Sequence, residues 1–315
     1  MSLKDTIGQY VNGVQINIDL INGCCLACPS CAVGSMTKKR KGVMSFETFK
    51  RVLDKAESEF KIRRIQLYAY SDPCMHKDLD LFVGECTKRG IETWISTMLQ
   101  VTNCDFPKVI EARPSEFRIS FPGWEQMSYY QSQAADPKRF DAKIEEVCKL
   151  PRYKETIWTL VWHFYRDNGH EETRARELAE RLDLKFVRLP AIFMPLEKYV
   201  DDYYTEKDRQ LIDKLWESPE VAASRMERTN TCVLWKQLTL DANADVFLCQ
   251  LVYEERFKLV NYLDYPYKAI HKMIKTAPFC GKCLSKGGNV LQLCYTPIAD
   301  SKDPIGEANK KRRKI

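Results

Sequence analysis

The sequence predicts an α/β fold in which six strand-then-helix units form a parallel sheet curled into a partial (β/α)6 barrel, followed by a small cysteine-rich unit. Three observations predict it. Period-two and helical apolar patterns alternate over the first 190 residues or so. That alternation stops after Pro195, and nine of the 13 cysteines fall into two groups, one near the start and one in the last third.

Taken in order, "VQINIDL" (14–20) sets Val14, Ile16, Ile18 and Leu20 on one strand face. Ser45 is an N-cap before a helix carrying Phe46, Phe49, Val52, Leu53, Ala56 and Phe60 at helical spacing. "RIQLYAY" (64–70) reads as the second strand, and a helix around Leu79, Phe82 and Cys86 stops at Gly90. "TWIST" (93–97), a short helix near 105–112 and "EFRISF" (116–121) follow. Asp136-Pro137 caps and opens a helix with Phe140, Ile144 and Val147. "TIWTLVWHF" (156–164), a charged helix from Glu171 to about Arg181 and "KFVRL" (185–189) complete the series. Crossovers between parallel strands are right-handed, and function in such folds collects at the C-terminal ends of the strands.

The expected organisation is a barrel over 1–198, a helical connector over 199–230, a cysteine-rich domain over 231–296 and a disordered basic tail over 297–315. The last residues, "NKKRRKI", supply five positive charges against a net charge of +6, so the body is near neutral and no nucleic-acid partner is expected. No run of 18 apolar residues and no apolar signal segment is present, which points away from the membrane and toward the cytoplasm. In that setting thirteen cysteines argue for metal or redox chemistry and against a disulfide framework. Cys74, Cys86, Cys104 and Cys148 are scattered singly and read as packing residues.

"GCCLACPSC" (23–31) lies just past the first strand, and its four cysteines allow two ligand sets. Cys25, Cys28 and Cys31 follow ferredoxin-like spacing, which needs a fourth cysteine to close a cubane. Cys24, Cys28 and Cys31 leave one iron open to a small molecule, which implies catalysis. In the last third, Leu238 and Leu240 run up to a "DANAD" turn and Val246–Leu248 run back, bringing Cys232 toward Cys249. Asp241-x-Asn243-x-Asp245 fails as a calcium loop, since Val246 and Val252 stand where glycine and glutamate are required. With Cys280-x2-Cys283, four thiolates would hold zinc or an iron-sulfur cluster equally well.

The CX3CX2C set of Cys24, Cys28 and Cys31 resembles the motif of the radical S-adenosylmethionine (SAM) enzymes, which lies in the loop after the first strand of a TIM-like barrel. Tyr70-Ser71-Asp72-Pro73 is similar to that family's GGEP segment, while Ser96 in "ISTML" and Ser120 in "RISFPG" fall at its ribose and carboxylate contacts. The resemblance covers residues 14 to about 195. Ser30 stands where the family has an aromatic, and YSDP replaces GGEP. The resemblance implies a [4Fe-4S] cluster on Cys24, Cys28 and Cys31, with SAM against Tyr70, Ser71, Asp72, Pro73, Ser96, Ser120 and His163. It leaves Cys25 as a packing residue beside the cluster.

Cys232-x11-Ala244-x4-Cys249 followed by Cys280-x2-Cys283 resembles the SPASM or shorter twitch domain of that family, with Ala244 in a glycine place. The remaining SPASM cysteines are absent, so the resemblance implies a twitch domain with one auxiliary [4Fe-4S] cluster for electron transfer, and leaves Cys294 over. The implied activity is an oxidation or rearrangement of a small molecule such as a sugar, nucleotide or natural-product intermediate, served by an external donor of flavodoxin or ferredoxin type. The alternatives are a maturase acting on a ribosomal peptide and, more distantly, a zinc-binding nucleic-acid module. With a first strand by residue 14, no peptide-recognition or cobalamin domain is expected ahead of the barrel. His163 and Asn168, with Tyr68 and Trp162, are the further residues read at strand ends near the mouth, each with a plain structural role as the alternative.

Overall fold

A computed structural model describes residues 13–35, 40–125, 127, 135–225 and 229–294. The tail expected over 297–315 lies outside them. Six parallel strands form as the alternation requires: β1 (Val14–Ile18), β2 (Ile62–Gln66), β3 (Thr93–Thr97), β4 (Glu116–Phe121), β5 (Ile157–Phe164) and β6 (Lys185–Pro190). Each pairs in parallel with the next. Between them lie α1 (Ala32–Ser35), α2 (Phe46–Glu59), α3 (Leu79–Lys88), α4 (Phe106–Glu111), α5 (Pro137–Val147) and α6 (Glu172–Arg181).

The helices form where capping and apolar spacing agree. Ser45 Oγ accepts the Thr48 N–H at the start of α2, and Phe49, Val52, Leu53 and Ala56 are buried along one stripe. Asp136 caps α5 in the same manner, with Pro137 at its first position. Burying one such leucine or phenylalanine contributes about 1.5–3 kcal/mol, so Leu53→Ala, which also leaves a cavity, costs about 2–5 kcal/mol.

The opposite face of the strands carries polar side chains that satisfy one another. Gln15 Nε2 donates to Asn17 Oδ1 (2.8 Å) and to Gln66 Oε1 (3.0 Å), and Asn17 Nδ2 donates to Gln237 Oε1 (3.0 Å). Higher up, an Arg118 guanidinium N–H on β4 reaches Tyr68 Oη, beyond the end of β2, at 3.4 Å. That contact spans the width of β3, so the sheet is curled into a partial barrel with a polar interior.

The second strand ends earlier than its apolar pattern suggests. The pattern runs to Tyr70, whereas β2 stops at Gln66. Asp19 is the cause, because its carboxylate takes the N–H groups of Ala69, Tyr70 and Ser71 out of the ladder.

Past β6 comes α7 (Leu196–Val200), astride the boundary expected at 198, and then α8 (Glu206–Ile212) and α9 (Pro219–Arg225) within the stretch read as a connector. Thr205 and Asp208 form a capping box on α8, and Lys198 Nζ meets Asp208 Oδ1 at 2.8 Å in a buried pair. The expected hairpin is β7 (Gln237–Leu240) and β8 (Asp245–Phe247), joined antiparallel and extended by β9 (Lys258–Asn261). Ala244 closes its turn at φ 62°, a left-handed position that favours glycine. Unforeseen in the sequence, β7 pairs in parallel with β1, giving the sheet order β6-β5-β4-β3-β2-β1-β7-β8-β9. Helices α10 (Tyr267–Thr276), α11 (Pro278–Lys286) and α12 (Gly288–Cys294) complete the described chain. The Cys294 side chain lies outside the described residues.

Candidate functional site

A cavity of about 230 Å3 opens at the C-terminal ends of the strands. Cys24, Cys28 and Cys31, from the loop after β1, stand together in its wall. The loop is wound by bonds from Cys31 N–H to Cys28 O (3.0 Å) and from Gly34 N–H to Cys31 O (3.1 Å). Gly34 fits because it has no side chain, since a Cβ there would stand 2.1 Å from Cys28 O. Cys25 is exposed and donates its N–H toward Met75 Sδ at 3.1 Å. Its side chain hydrogen-bonds Cys24, which pulls the Cys24 thiol below its ordinary value. Burial pushes the Cys31 thiol up to about 12. Burial, then the neighbouring Cys31 and Cys24 charges, push Cys28 well above its ordinary value. Three thiolates in this setting repel one another and need a positively charged centre between them.

Across from the cysteines, Tyr70, Ser71 and Asp72 line the cavity. Asp19 holds their backbone: its Oδ1 accepts the N–H groups of Ala69, Tyr70 and Ser71, each at 2.9 Å, and the Ser71 hydroxyl at 2.8 Å. Extending the inward alternation of Gln15 and Asn17 by one step would have found Asp19 in the sequence. The Asp72 carboxylate faces the fold: it accepts Cys74 N–H (3.0 Å), Thr97 Oγ1–H (2.9 Å) and Met98 N–H (3.1 Å), tying the end of β2 to that of β3. Burial raises its pKa against those three bonds. Pro73 opens a buried turn, Pro73–Met75.

Ser96 and Ser120 share a hydroxyl hydrogen bond of 3.0 Å in the cavity wall. His163 and Tyr68 reach the same cavity. Burial, then the Arg118 charge, lowers the His163 pKa to about 4, so its imidazole is neutral at neutral pH. Trp162 lies on the other face of β5, fully buried, its ring centroid 5.6 Å from that of Phe121. Asn168 proves structural: its side chain takes the Tyr165 N–H and donates to Pro122 O and His163 O. Tyr165, Ile192 and Met194 supply an apolar wall that the sequence reading missed.

The second cysteine group forms its own pocket. Cys232, Cys249, Cys280 and Cys283 line it with Leu196, Leu234, Leu248 and Phe279. Burial pushes the Cys232 thiol up to about 11 and Cys249 well above its ordinary value, where the charges of Cys232, Cys283 and Cys280 add to the effect. The buried Trp235 indole nitrogen stands in this wall beside Cys280, whose thiol it pulls down against burial. Gly288 makes room, since a Cβ there would stand 2.7 Å from Cys283 Sγ. Among the described residues no group of three or more His, Cys, Asp or Glu is gathered tightly enough to hold a single metal ion. A cluster whose cysteines each bind a different iron asks for a wider spread.

No family model matches the sequence, and no curated protein matches it. Solved structures do. SuiB from Streptococcus suis, bound to its precursor peptide SuiA, superposes with a TM-score of 0.58 at 12% identity, over 89% of this chain and 69% of that one. The same protein bound to S-adenosylmethionine gives 0.59 at 10%, over 89% and 70%. The native anSMEcpe structure with bound AdoMet gives 0.56 at 14% identity, over 92% and 91%. At these identities the likeness speaks of the fold, and it extends past the barrel into the C-terminal cysteine region. This chain therefore has the partial-barrel α/β fold that its resemblance to radical SAM enzymes implied, shared with SuiB and anSMEcpe.

Proposed function

We propose that the chain is a radical SAM enzyme with one auxiliary iron-sulfur cluster, oxidising or rearranging a small molecule. The observation that carries this reading is the presence of Cys24, Cys28 and Cys31 in one cavity wall, facing the Asp19-held backbone of residues 69–71. Three thiols with raised or mutually perturbed pKa values fit a [4Fe-4S] cluster with one open iron, and the SAM-bound neighbours share the fold. Bound there, cluster and SAM supply one-electron cleavage of the sulfonium, the source of the hydrogen-abstracting radical in this family.

The chain's own residues then have definite tasks. Asp19 keeps the 69–71 backbone in one conformation, so its carbonyls can receive an amino group. The Ser96 and Ser120 hydroxyls offer polar contacts on the floor. Neutral His163 can accept or donate one hydrogen bond without bringing a charge. Tyr165, Ile192 and Met194 keep water from the reacting atoms. Cys232, Cys249, Cys280 and Cys283 fit a fully ligated cluster, whose role is electron transfer.

A cytoplasmic setting and an external low-potential donor belong to this reading. A ribosomal peptide is the second substrate reading, favoured by the fold shared with SuiB, whose structure is bound to a precursor peptide.

Anaerobic reconstitution tests the proposal. About eight irons per chain and 5′-deoxyadenosine on reduction with SAM are expected. Zinc without iron, or no SAM cleavage in the loaded protein, would overturn it. Cys24→Ala should abolish deoxyadenosine formation while Cys25→Ala largely spares it, and the reverse result would exchange the two ligands.

A further inference from the structure

Two buried polar atoms close to the elements that line the two cysteine pockets have no hydrogen-bond partner among the described residues. Met194 reaches the first cavity and Leu196 lines the second, so the segment entering α7 is shared between them. Glu197 follows directly and is completely buried. Its Oε1 accepts the N–H groups of Tyr253 (2.8 Å) and Glu254 (3.0 Å), which leaves Oε2 without a partner among the described residues. Tyr70 lines the first cavity, and its buried hydroxyl likewise has no partner.

The charges around this spot come from several elements. The Arg40 guanidinium lies 3.3 Å from the Phe247 ring centroid, 4.3 Å from that of Tyr253 and 5.8 Å from that of Tyr70. It donates to the main-chain carbonyls of Val252 and Tyr253. Glu254 is bonded by the Tyr203 hydroxyl at 2.5 Å, and Lys198 on α7 is committed to Asp208. Burial first, then the Glu197 charge, raises the Tyr70 pKa, and Arg40 opposes them. Cys249 and Cys31 both add to the rise, so the Tyr70 hydroxyl is within electrostatic reach of both cysteine groups. Burial pushes the Glu197 carboxyl up to about 7, against the pull of the two N–H donors.

The geometry points to a proton site coupled to the four-cysteine centre: when that centre gains one electron, Glu197 gains one proton at its unpaired Oε2, taken up from solvent. This rests on the auxiliary-cluster reading above. The electron comes from a low-potential one-electron donor or from a substrate radical. In the second case the substrate loses one electron and one proton, the electron goes to the four-cysteine centre and the proton to solvent. The physical cause is simple. An added negative charge in a buried region disfavours a carboxylate nearby and raises its pKa further.

The test is the reduction potential of the auxiliary centre in the reconstituted protein, titrated with dithionite and followed by electron paramagnetic resonance between pH 6 and 9. Coupled uptake of one proton per electron makes a tenfold change in proton concentration worth 59 mV. The expected wild-type potential is flat below about pH 7 and falls above it toward that slope, while Glu197→Gln, which keeps an oxygen for the two N–H donors, is flat throughout. A flat wild-type profile, or the same slope in both proteins, overturns the inference. Redox-difference infrared spectra of the wild-type protein check it without relying on the variant. A protonated-carboxyl band should grow on reduction at pH 7.5, and no such band overturns it. Iron content separates the two levels of argument. Four irons, all lost when Cys24, Cys28 and Cys31 are replaced, overturn the auxiliary-cluster reading and this inference with it. Eight irons with a flat profile overturn the inference alone.

Discussion

Asp19 and Ser71 are joined twice, for Asp19 Oδ1 accepts both the N–H of Ser71 at 2.9 Å and its hydroxyl at 2.8 Å. Those bonds, with two more from Ala69 and Tyr70, turn the end of the second strand into a fixed wall of the cavity. Asp19→Ala leaves three amide N–H groups without their acceptor, at about 1–3 kcal/mol for each that stays buried. The expected outcome is a melting temperature lower by several degrees and weaker SAM binding, with Asp19→Asn intermediate. Calorimetry on the unloaded protein and SAM titration of the loaded one check both.

Gly34→Ala should damage the first cysteine loop selectively. The added Cβ would fall 2.1 Å from Cys28 O, a contact with backbone that no rotamer change relieves. Reconstituted protein is expected to hold about four irons in place of about eight, with SAM cleavage lost.

Gly288→Ala should do the converse. Its Cβ would meet Cys283 Sγ at 2.7 Å, at the second pocket only. Iron is expected to fall by about the same four atoms, while the low-temperature spectrum of the first centre, including its change on adding SAM, is retained.

The folded chain holds His163 neutral, with its pKa lowered from 6.5 to about 4. Between those values the unfolded chain binds a proton that the folded chain refuses, so stability is complete above pH 6.5 and is lost as pH falls toward 4. At 1.4 kcal/mol per pH unit the loss is about 3 kcal/mol. Urea unfolding at pH 7.5 and pH 4.5 should show this fall in the wild type and a smaller one in His163→Gln.

Much of this was readable in the chain. Apolar alternation placed the six strands, and Ser45 and Asp136 marked helix starts where they occur. The "DANAD" hairpin and the position of Ala244 at its left-handed turn were also legible, since both depend on residues a few places apart. Strict period two could have gone further. Trp162 and His163 are adjacent in β5, so only one of them can face the cavity, and the inward set of Thr159 and His163 excludes Trp162. Where the alternation was overruled, at Ala69 and Tyr70, the carboxylate of Asp19, just past the end of β1, competed for the backbone amides.

By itself, then, the sequence determined the order of strands and helices and the spacing of the two cysteine groups, because these rest on local periodicity and on residues close along the chain. Only the tertiary structure decided that Cys24 stands in the cavity wall while Cys25 is exposed, that β7 completes the sheet against β1, and that Glu197 and Tyr70 are buried with one polar atom each left unpaired among the described residues. Each of these depends on which distant segments become neighbours once apolar surface is buried from both sides of the sheet, and local pattern carries no record of that choice.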